Sequence, residues 1–324
     1  MTASTSFAPV QGLRLLNVVS SMDPAAGGIS ESIARLSKSV EALGHDVETV
    51  SVDDPGSEWK KNLQTAVHLK GPPQGFLEYS QDFNYWLAQN CGRFDAILSH
   101  GIWRDSSRAT RRAARPLGRP YFVFPHGMLD PWFKRYYPVK HLKKCLFWWT
   151  TEYAVLRDAQ AVLFTCEEER LLARESFWPY RCVERVVPLG TSEPPSNIDD
   201  QKAAFASKFS ELQGKRLLLF LGRIHEKKGC DLLLRAFLDL LKTRPPGIWR
   251  EIEASGSGLV EADTVEGCSC LLAKWLDLSP EARQEMAAKA AASFRQNFEI
   301  NRTATVLIET IRSFKRTSAA GKQR

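Results

Sequence analysis

Short apolar runs alternate with helix-patterned stretches along the first 190 residues or so. Leu13–Val19 leads into a glycine-rich turn and then a helix near Ile29–Leu43. Val47–Val52, Phe94–Ser99, Tyr121–Phe124, Ala161–Thr165 and Arg185–Pro188 read as further strands. Strands that are apolar at consecutive positions must be covered on both faces, and strands separated by helices pair in parallel. The alternation therefore predicts an α/β lobe with a doubly wound parallel sheet over residues 1–190.

The stretch Thr191–Asp200 (TSEPPSNIDD) is rich in Pro, Ser and Asp and reads as a linker. A second, shorter lobe is expected over 201–317. It opens with an apolar strand at Arg216–Leu221 and a helix from about Cys230 to Lys242. A short strand at Gly258–Ala262 and three helices between Val265 and Lys315 follow. Residues 318–324 read as a disordered tail. The 324 residues suffice for two cores.

Seven scattered cysteines suggest neither a disulfide framework nor a zinc site, so a reducing cytoplasm is the expected compartment. The start of the chain lacks the basic segment of a secretory signal, and no run approaches the length of a membrane span. The formal charge of +7 suits a phosphate-rich ligand, an anionic membrane surface or nucleic acid, without choosing among them. No groove-reading or single-strand module accompanies that diffuse charge, which disfavours nucleic acid.

Four segments carry site-like chemistry, each with a plainer alternative. Gly27-Gly28 stands between the first strand and its helix; it is either a flexible turn or a place where backbone meets a phosphate at a helix N-terminus. His126, in Pro125-His126-Gly127-Met128, follows the fourth strand, at the sheet edge where open α/β folds bind ligands. It is either a loop histidine or a group that donates a hydrogen bond to a sugar hydroxyl or stabilises developing charge; His100-Gly101 is a weaker copy. In the loop 222–229, Arg223 and Lys228 offer a guanidinium fork and a point charge beside a helix start, which suits a diphosphate leaving group, or else a solvated basic loop. Arg108, Arg111, Arg112 and Arg115 share one helix face. Trp132–Tyr153 mixes Lys143, Lys144 and other basic residues with Trp148 and its aromatic neighbours; together with that arginine face it fits either an acceptor or membrane surface or a solvated face beside core aromatics.

Taken together and in order, these segments resemble the group 1 retaining glycosyltransferases of GT-B fold, glycosyltransferase family four. The resemblance runs through Gly27-Gly28-Ile29, Leu43-Gly44-His45-Asp46-Val47, Pro125–Trp132, Gly222-Arg223 and Lys228-Gly229 and covers about residues 13–242. It implies two Rossmann-like lobes and transfer of a sugar from a nucleotide-sugar donor, with retention. The acceptor would be a glycan or a lipid-linked molecule of polysaccharide or glycolipid assembly. Arg223 and Lys228 would hold the donor diphosphate, the Gly27-Gly28 loop would approach it, and His126 would sit beside the reacting carbon. No cofactor or metal is implied, in keeping with the lack of an Asp-x-Asp motif; the Trp132–Tyr153 region, and not the resemblance, suggests a peripheral place at the inner face of a membrane.

The chain departs from the family in its second lobe. By comparison with the family, no Glu-x7-Glu segment stands at the place where ribose and donor sugar are gripped, and tens of residues read as missing between Thr243 and Gly247. The second lobe is therefore expected to be truncated internally, with activity impaired. The alternative is a non-catalytic remnant that binds a glycan, a lipid carrier or a protein partner through the first lobe.

Overall fold

The computed structural model describes residues 12–62, 66–193, 196–212, 219–222, 230–231, 233–234, 242–244 and 249–321. The chain divides into two compact units, residues 1–191 with 300–324, and residues 192–299.

The first unit is built on seven parallel strands in the order β3-β2-β1-β4-β5-β6-β7. They are β1 (Arg14–Val19), β2 (Asp46–Ser51), β3 (Ala66–Leu69), β4 (Ala96–His100), β5 (Tyr121–Phe124), β6 (Ala161–Phe164) and β7 (Glu184–Val186). Six of these match the sequence expectation. The seventh, β3, is a four-residue edge strand whose His68 takes up Glu48 of β2 at 2.8 Å. It is too short and too mixed to show as an apolar run. Residues of alternating parity face opposite sides. One face, with Leu16, Val18, Ile97, Val123 and Phe164, packs under α2 (Gln81–Asn90) and α3 (Asp105–Ala114). The other, with Leu15, Leu98, Phe122 and Phe124, packs under α1 (Gly28–Ala42) and the last helix of the chain.

Between β5 and β6 run α4 (Trp132–Tyr136), α5 (Pro138–Phe147), a π-helical turn at Trp148–Glu152 and α6 (Tyr153–Asp158); α7 (Glu167–Ala173) follows β6. The chain then enters the second unit with α8 (Ile198–Lys208). The helix takes up the last three residues, 198–200, of the segment read as a linker.

In the second unit, β8 (Lys242–Arg244) pairs antiparallel with β9 (Ala262–Thr264), flanked by α9 (Trp249–Ser255), α10 (Val265–Asp277) and α11 (Pro280–Asn297). Ser279 caps α11 through the Ala282 N–H, with Pro280 in the first turn. Arg283 closes the end of α10 by donating to the carbonyls of Trp275 and Leu276. Two expectations change here. The short strand forms at Ala262–Thr264, later than Gly258–Ala262, where it pairs through Ala262 and Asp263 with Arg244 of β8. Lys242 belongs to a strand, so it does not end a helix. The strand expected over Arg216–Leu221 lies mostly outside the described residues, and residues 219–221 are not in a strand. Among the described residues this unit shows only the β8–β9 pair as sheet.

The boundary at 317 is also corrected. Helix α12 (Ile300–Gly321) belongs to the first unit. Ile300, Ala304, Leu307, Ile308 and Ile311 are buried among Leu13, Leu36, Phe122 and Phe124. The Ile300 N–H donates to the Thr191 carbonyl at 3.1 Å. Gly190 sits so close to α12 that a Cβ there would lie 2.7 Å from the Ile300 Cα. The tail expected to be disordered is helical through Gly321, and 322–324 lie outside the described residues.

Candidate functional site

The strand register aligns Val19, His100 and Phe124 across β1, β4 and β5. The segments that follow these three residues therefore leave the sheet together at its carboxyl edge, the place where parallel sheets open to ligands.

From β1 the chain turns through Ser20–Ala26 into α1. Asp53 beyond β2 fixes that turn, accepting from the Ser21 and Ser51 hydroxyls at 2.6 Å and from the Met22 N–H at 2.7 Å. Gly27 has φ +118° and ψ −165°, a backbone region that essentially only glycine adopts. A Cβ there would meet nothing within 4 Å, so the demand is conformational and not one of space. No side chain caps α1 at Gly27. The first-turn N–H groups can thus receive an anion, although Glu31 in the same turn, paired with Arg35 at 2.6 Å, opposes one. Gly27 and Gly28 stand where the sequence places them.

From β4 and β5 come the two histidines. His100 Nε2 meets Asn17 Oδ1 at 3.1 Å, and His100 Nδ1 meets His126 Nε2 at 3.0 Å. The rings of Phe124, His100 and His126 stack at centroid distances between 5.2 and 5.6 Å. The Asn17 amide nitrogen donates to Ser37 and Thr49, which leaves its oxygen for His100. His100 Nε2 then carries the proton, its Nδ1 accepts from His126 Nε2–H, and His126 presents Nδ1 as a lone pair. Burial lowers the pKa of His126 to about 4, and burial with the neighbouring imidazole lowers that of His100 well below the usual range. Both rings are neutral at pH 7. His126 thus offers a sugar hydroxyl an acceptor at Nδ1, where the sequence suggested a donor, because its Nε2–H is taken by His100.

The backbone around the pair is unusual. His126 has φ +52° and is followed by Gly127 at +74°, while Gly101 is at +83° and Trp103 at +75°. Non-glycine residues at positive φ persist only where neighbours hold them. Glu169 of α7 holds the first loop: it accepts from the Gly127 N–H at 2.6 Å and from both the N–H and hydroxyl of Thr165 at 2.7 Å. Met128 couples the loops, its sulfur accepting from the Ile102 N–H at 3.3 Å and its carbonyl from the Trp103 indole at 3.4 Å.

Glu152, fully buried in the π-helical turn, holds the second loop. It accepts from the Trp103 backbone and from Ser107, whose hydroxyl lies 3.3 Å from both carboxylate oxygens. Burial, the largest influence, pushes its pKa up to about 7. The folded chain therefore keeps a proton that the unfolded chain has lost above pH 4.5. The resulting stability is full below 4.5 and is lost as pH rises through 7. Glu152→Gln, neutral throughout, is expected to gain on the parent from pH 5 to pH 8, by on the order of 2 kcal/mol in urea unfolding. An advantage of equal size at both pH values would contradict this.

The arginine face proposed for an acceptor or a membrane is tied up internally. Arg111 grips Asp158 at 2.6 and 2.8 Å. Arg108 pairs with the buried Asp105 at 3.3 Å and lies 5.4 Å from the Phe147 ring centre. Arg112 donates to Asp105 and Asn84. Helical spacing put these arginines on one face, as expected, but that face packs against acids on α3 and α6. Trp148 is likewise a core residue, fully buried with its indole donating to the Pro179 carbonyl at 2.9 Å. Lys144 lies 4.7 Å from the Trp103 ring centre, and only Lys143 of that pair is exposed. Arg223 and Lys228 fall outside the described residues. A groove of about 830 Å³ lined by Lys134, Phe177, Trp178, Tyr180 and Glu184 among others shares no residue with the histidine edge.

Sequence reasoning missed Asn17, Glu152 and Glu169. Asn17 left a signal, a polar residue inside the apolar run LLNVV. A buried amide needs partners, and those partners proved to be part of the site.

The glycosyl transferase 4-like domain matches residues 27–190 of this chain. The structure is similar to that of HepE from Anabaena in complex with UDP, at 12% identity and a TM-score of 0.67, over 93% of this chain and 100% of that one. It is similar to a glycosyltransferase from Rickettsia africae at 11% identity and a TM-score of 0.67, over 94% and 99%. It is also similar to the N-terminal domain of trehalose-6-phosphate phosphatase from Candida albicans at 12% identity and a TM-score of 0.57, over 96% and 99%. At such identities the likeness is one of fold. No curated protein matches the chain.

Proposed function

Because the chain belongs to the glycosyl transferase 4-like family, we propose that it transfers a hexose-type sugar from a nucleotide-sugar donor, with retention and without a bound metal, to a glycan or lipid-linked acceptor. The acceptor belongs to polysaccharide or glycolipid assembly, and the chain works in the cytoplasm, peripherally at the inner face of a membrane. The observation that carries this reading is the convergence on one sheet edge of an uncapped helix N-terminus behind Gly27 and the neutral Asn17–His100–His126 relay. The UDP in the HepE structure supports a nucleotide diphosphate as the donor's leaving group.

In this reading His126 Nδ1 accepts a hydrogen bond from a sugar hydroxyl beside the reacting carbon. That contact orients the sugar; it does not supply charge, because the imidazole is neutral. Arg223 and Lys228 neutralise the departing diphosphate, a role that rests on their place in the sequence. The second unit, with β8–β9 as its sheet among the described residues and tens of residues fewer than the family pattern between Thr243 and Gly247, grips the nucleotide weakly, so turnover is slow. The same observation favours a second reading, a remnant that binds a glycan or lipid carrier through the first unit.

Thermal shift separates the two. A millimolar UDP- or GDP-sugar should raise the melting temperature by one or more degrees if the donor binds, as mass action requires. No shift with any of a panel of nucleotide sugars would leave only the remnant reading.

A further inference from the structure

Helix α5 faces two ways. Its inner side carries His141, stacked 4.7 Å from the Phe177 ring centre, Lys144 against Trp103, and Cys145 packed on the core. Its outer side carries Val139, Leu142 and Leu146, spaced i, i+3, i+7, and the stripe continues to Trp149 in the π-helical turn. These four side chains are 71%, 73%, 71% and 60% exposed. Trp149 is joined by Trp178, which is 75% exposed and accepts the Trp149 indole N–H at its carbonyl, 2.7 Å away. Single exposed apolar residues are ordinary, but a continuous stripe ending in two tryptophans marks an interaction surface.

The charge around the stripe selects the partner. From Pro131 to Thr151 the chain has five lysines and arginines and no acid. Lys140 and Lys143 are exposed and flank the stripe on one side. A second copy docking through the same face would set these lysines against their own kind. An anionic bilayer offers apolar depth to the leucines, a headgroup layer suited to tryptophan, and negative charge to the lysines. Among the described residues no helix is long and apolar enough to cross a membrane, so the contact is interfacial.

We propose that α5 lies flat on anionic lipid through Val139, Leu142, Leu146 and Trp149, with Lys140 and Lys143 on the headgroups. This deepens the membrane part of the proposed function and names the face that makes the contact. The groups assigned to acceptor or membrane from the sequence change accordingly. Lys143 stays, while Lys144, Trp148 and the α3 arginines give way to the leucine stripe and Lys140.

The test is co-sedimentation of the full chain with vesicles of phosphatidylcholine alone or mixed with phosphatidylglycerol, without donor or acceptor. The parent chain should bind the anionic vesicles, and binding should weaken with added salt. Lys140→Glu/Lys143→Glu and Leu142→Ser/Leu146→Ser should each weaken binding about tenfold or more. Both doublets alter exposed positions and should leave the circular dichroism spectrum and melting temperature unchanged. The proposal is overturned if the parent does not bind, if either doublet binds as the parent does, or if the parent is a dimer that Leu142→Ser/Leu146→Ser dissociates. Because no sugar transfer is read, these outcomes leave the transferase reading standing, and a negative thermal shift leaves the docking face standing.

Discussion

A chain ending at Glu299 is expected to lose cooperative unfolding of its first unit altogether, even though the segment that matches the family remains whole. Helix α12 is not an appendage of the second unit. It covers one face of the β1–β6 region of the sheet with Ile300, Leu307, Ile308 and Ile311, and Ala304 lets it sit close. Each of the four larger side chains contributes about 1.5–3 kcal/mol by burial. Their sum is comparable with the whole stability of an ordinary domain, about 5–15 kcal/mol. Without them Leu15, Leu98, Phe122 and Phe124 face water on a sheet that needs both faces covered. The point variant Leu307→Asp buries a charge at a position with no exposure and should cost several kcal/mol. Both are read by urea denaturation followed through circular dichroism. A sigmoidal transition for the 1–299 chain at the parent's midpoint would show that α12 only decorates the fold. Recovery of the transition on adding a peptide of residues 300–321 would show that the helix is what was missing.

His126→Ala is expected to lower kcat by about a hundredfold or more, with a smaller change in donor affinity. The donor is whichever nucleotide sugar gives the thermal shift, and turnover is followed over hours to suit a slow enzyme. The substitution removes the lone pair offered to the sugar and leaves His100 Nδ1 without its 3.0 Å donor. Alanine keeps the Cβ, so the backbone strain at φ +52° stays. The folding cost is about 1–3 kcal/mol for the orphaned nitrogen. Because the imidazole titrates near 4, the parent's rate should not vary with pH between 6 and 8 on account of His126. A variant that turns over within threefold of the parent would remove His126 from the reaction.

These two residues, Leu307 and His126, show what could be read from the chain beforehand. His126 was found because a parallel strand announces itself by consecutive apolar residues, and the position just after its end is chemically privileged. Tyr121–Phe124 did so plainly. Leu307 was placed in a helix but assigned to the wrong unit, since amphipathic spacing shows that a face is buried and not what it is buried against. The arginines of α3 failed in a related way. Their shared face was correct, and Asp105, three residues before Arg108 and seven before Arg112, was visible as a partner. Asp158 was not, because only the fold brings α6 alongside α3. Glu152 and Glu169 were invisible for the same reason: each acts on a backbone N–H 40 or more residues away. Trp148 was misjudged because a tryptophan beside lysines looks interfacial, and only the packing shows that Trp148 turns inward while Trp149 turns out.

The hydrogen bond from the Ile300 N–H to the Thr191 carbonyl has a further consequence. It pins together the two points where the polypeptide leaves the first unit and comes back. Everything between them is, to the first unit, a tethered loop. The entropy of closing such a loop changes slowly with its length, by about 0.6 kcal/mol per doubling. Residues can therefore be lost or gained between Ser192 and Glu299 with little thermodynamic effect on the sheet that carries the histidines. A longer or shorter second unit is, in this topology, an edit to an insert and not damage to the frame.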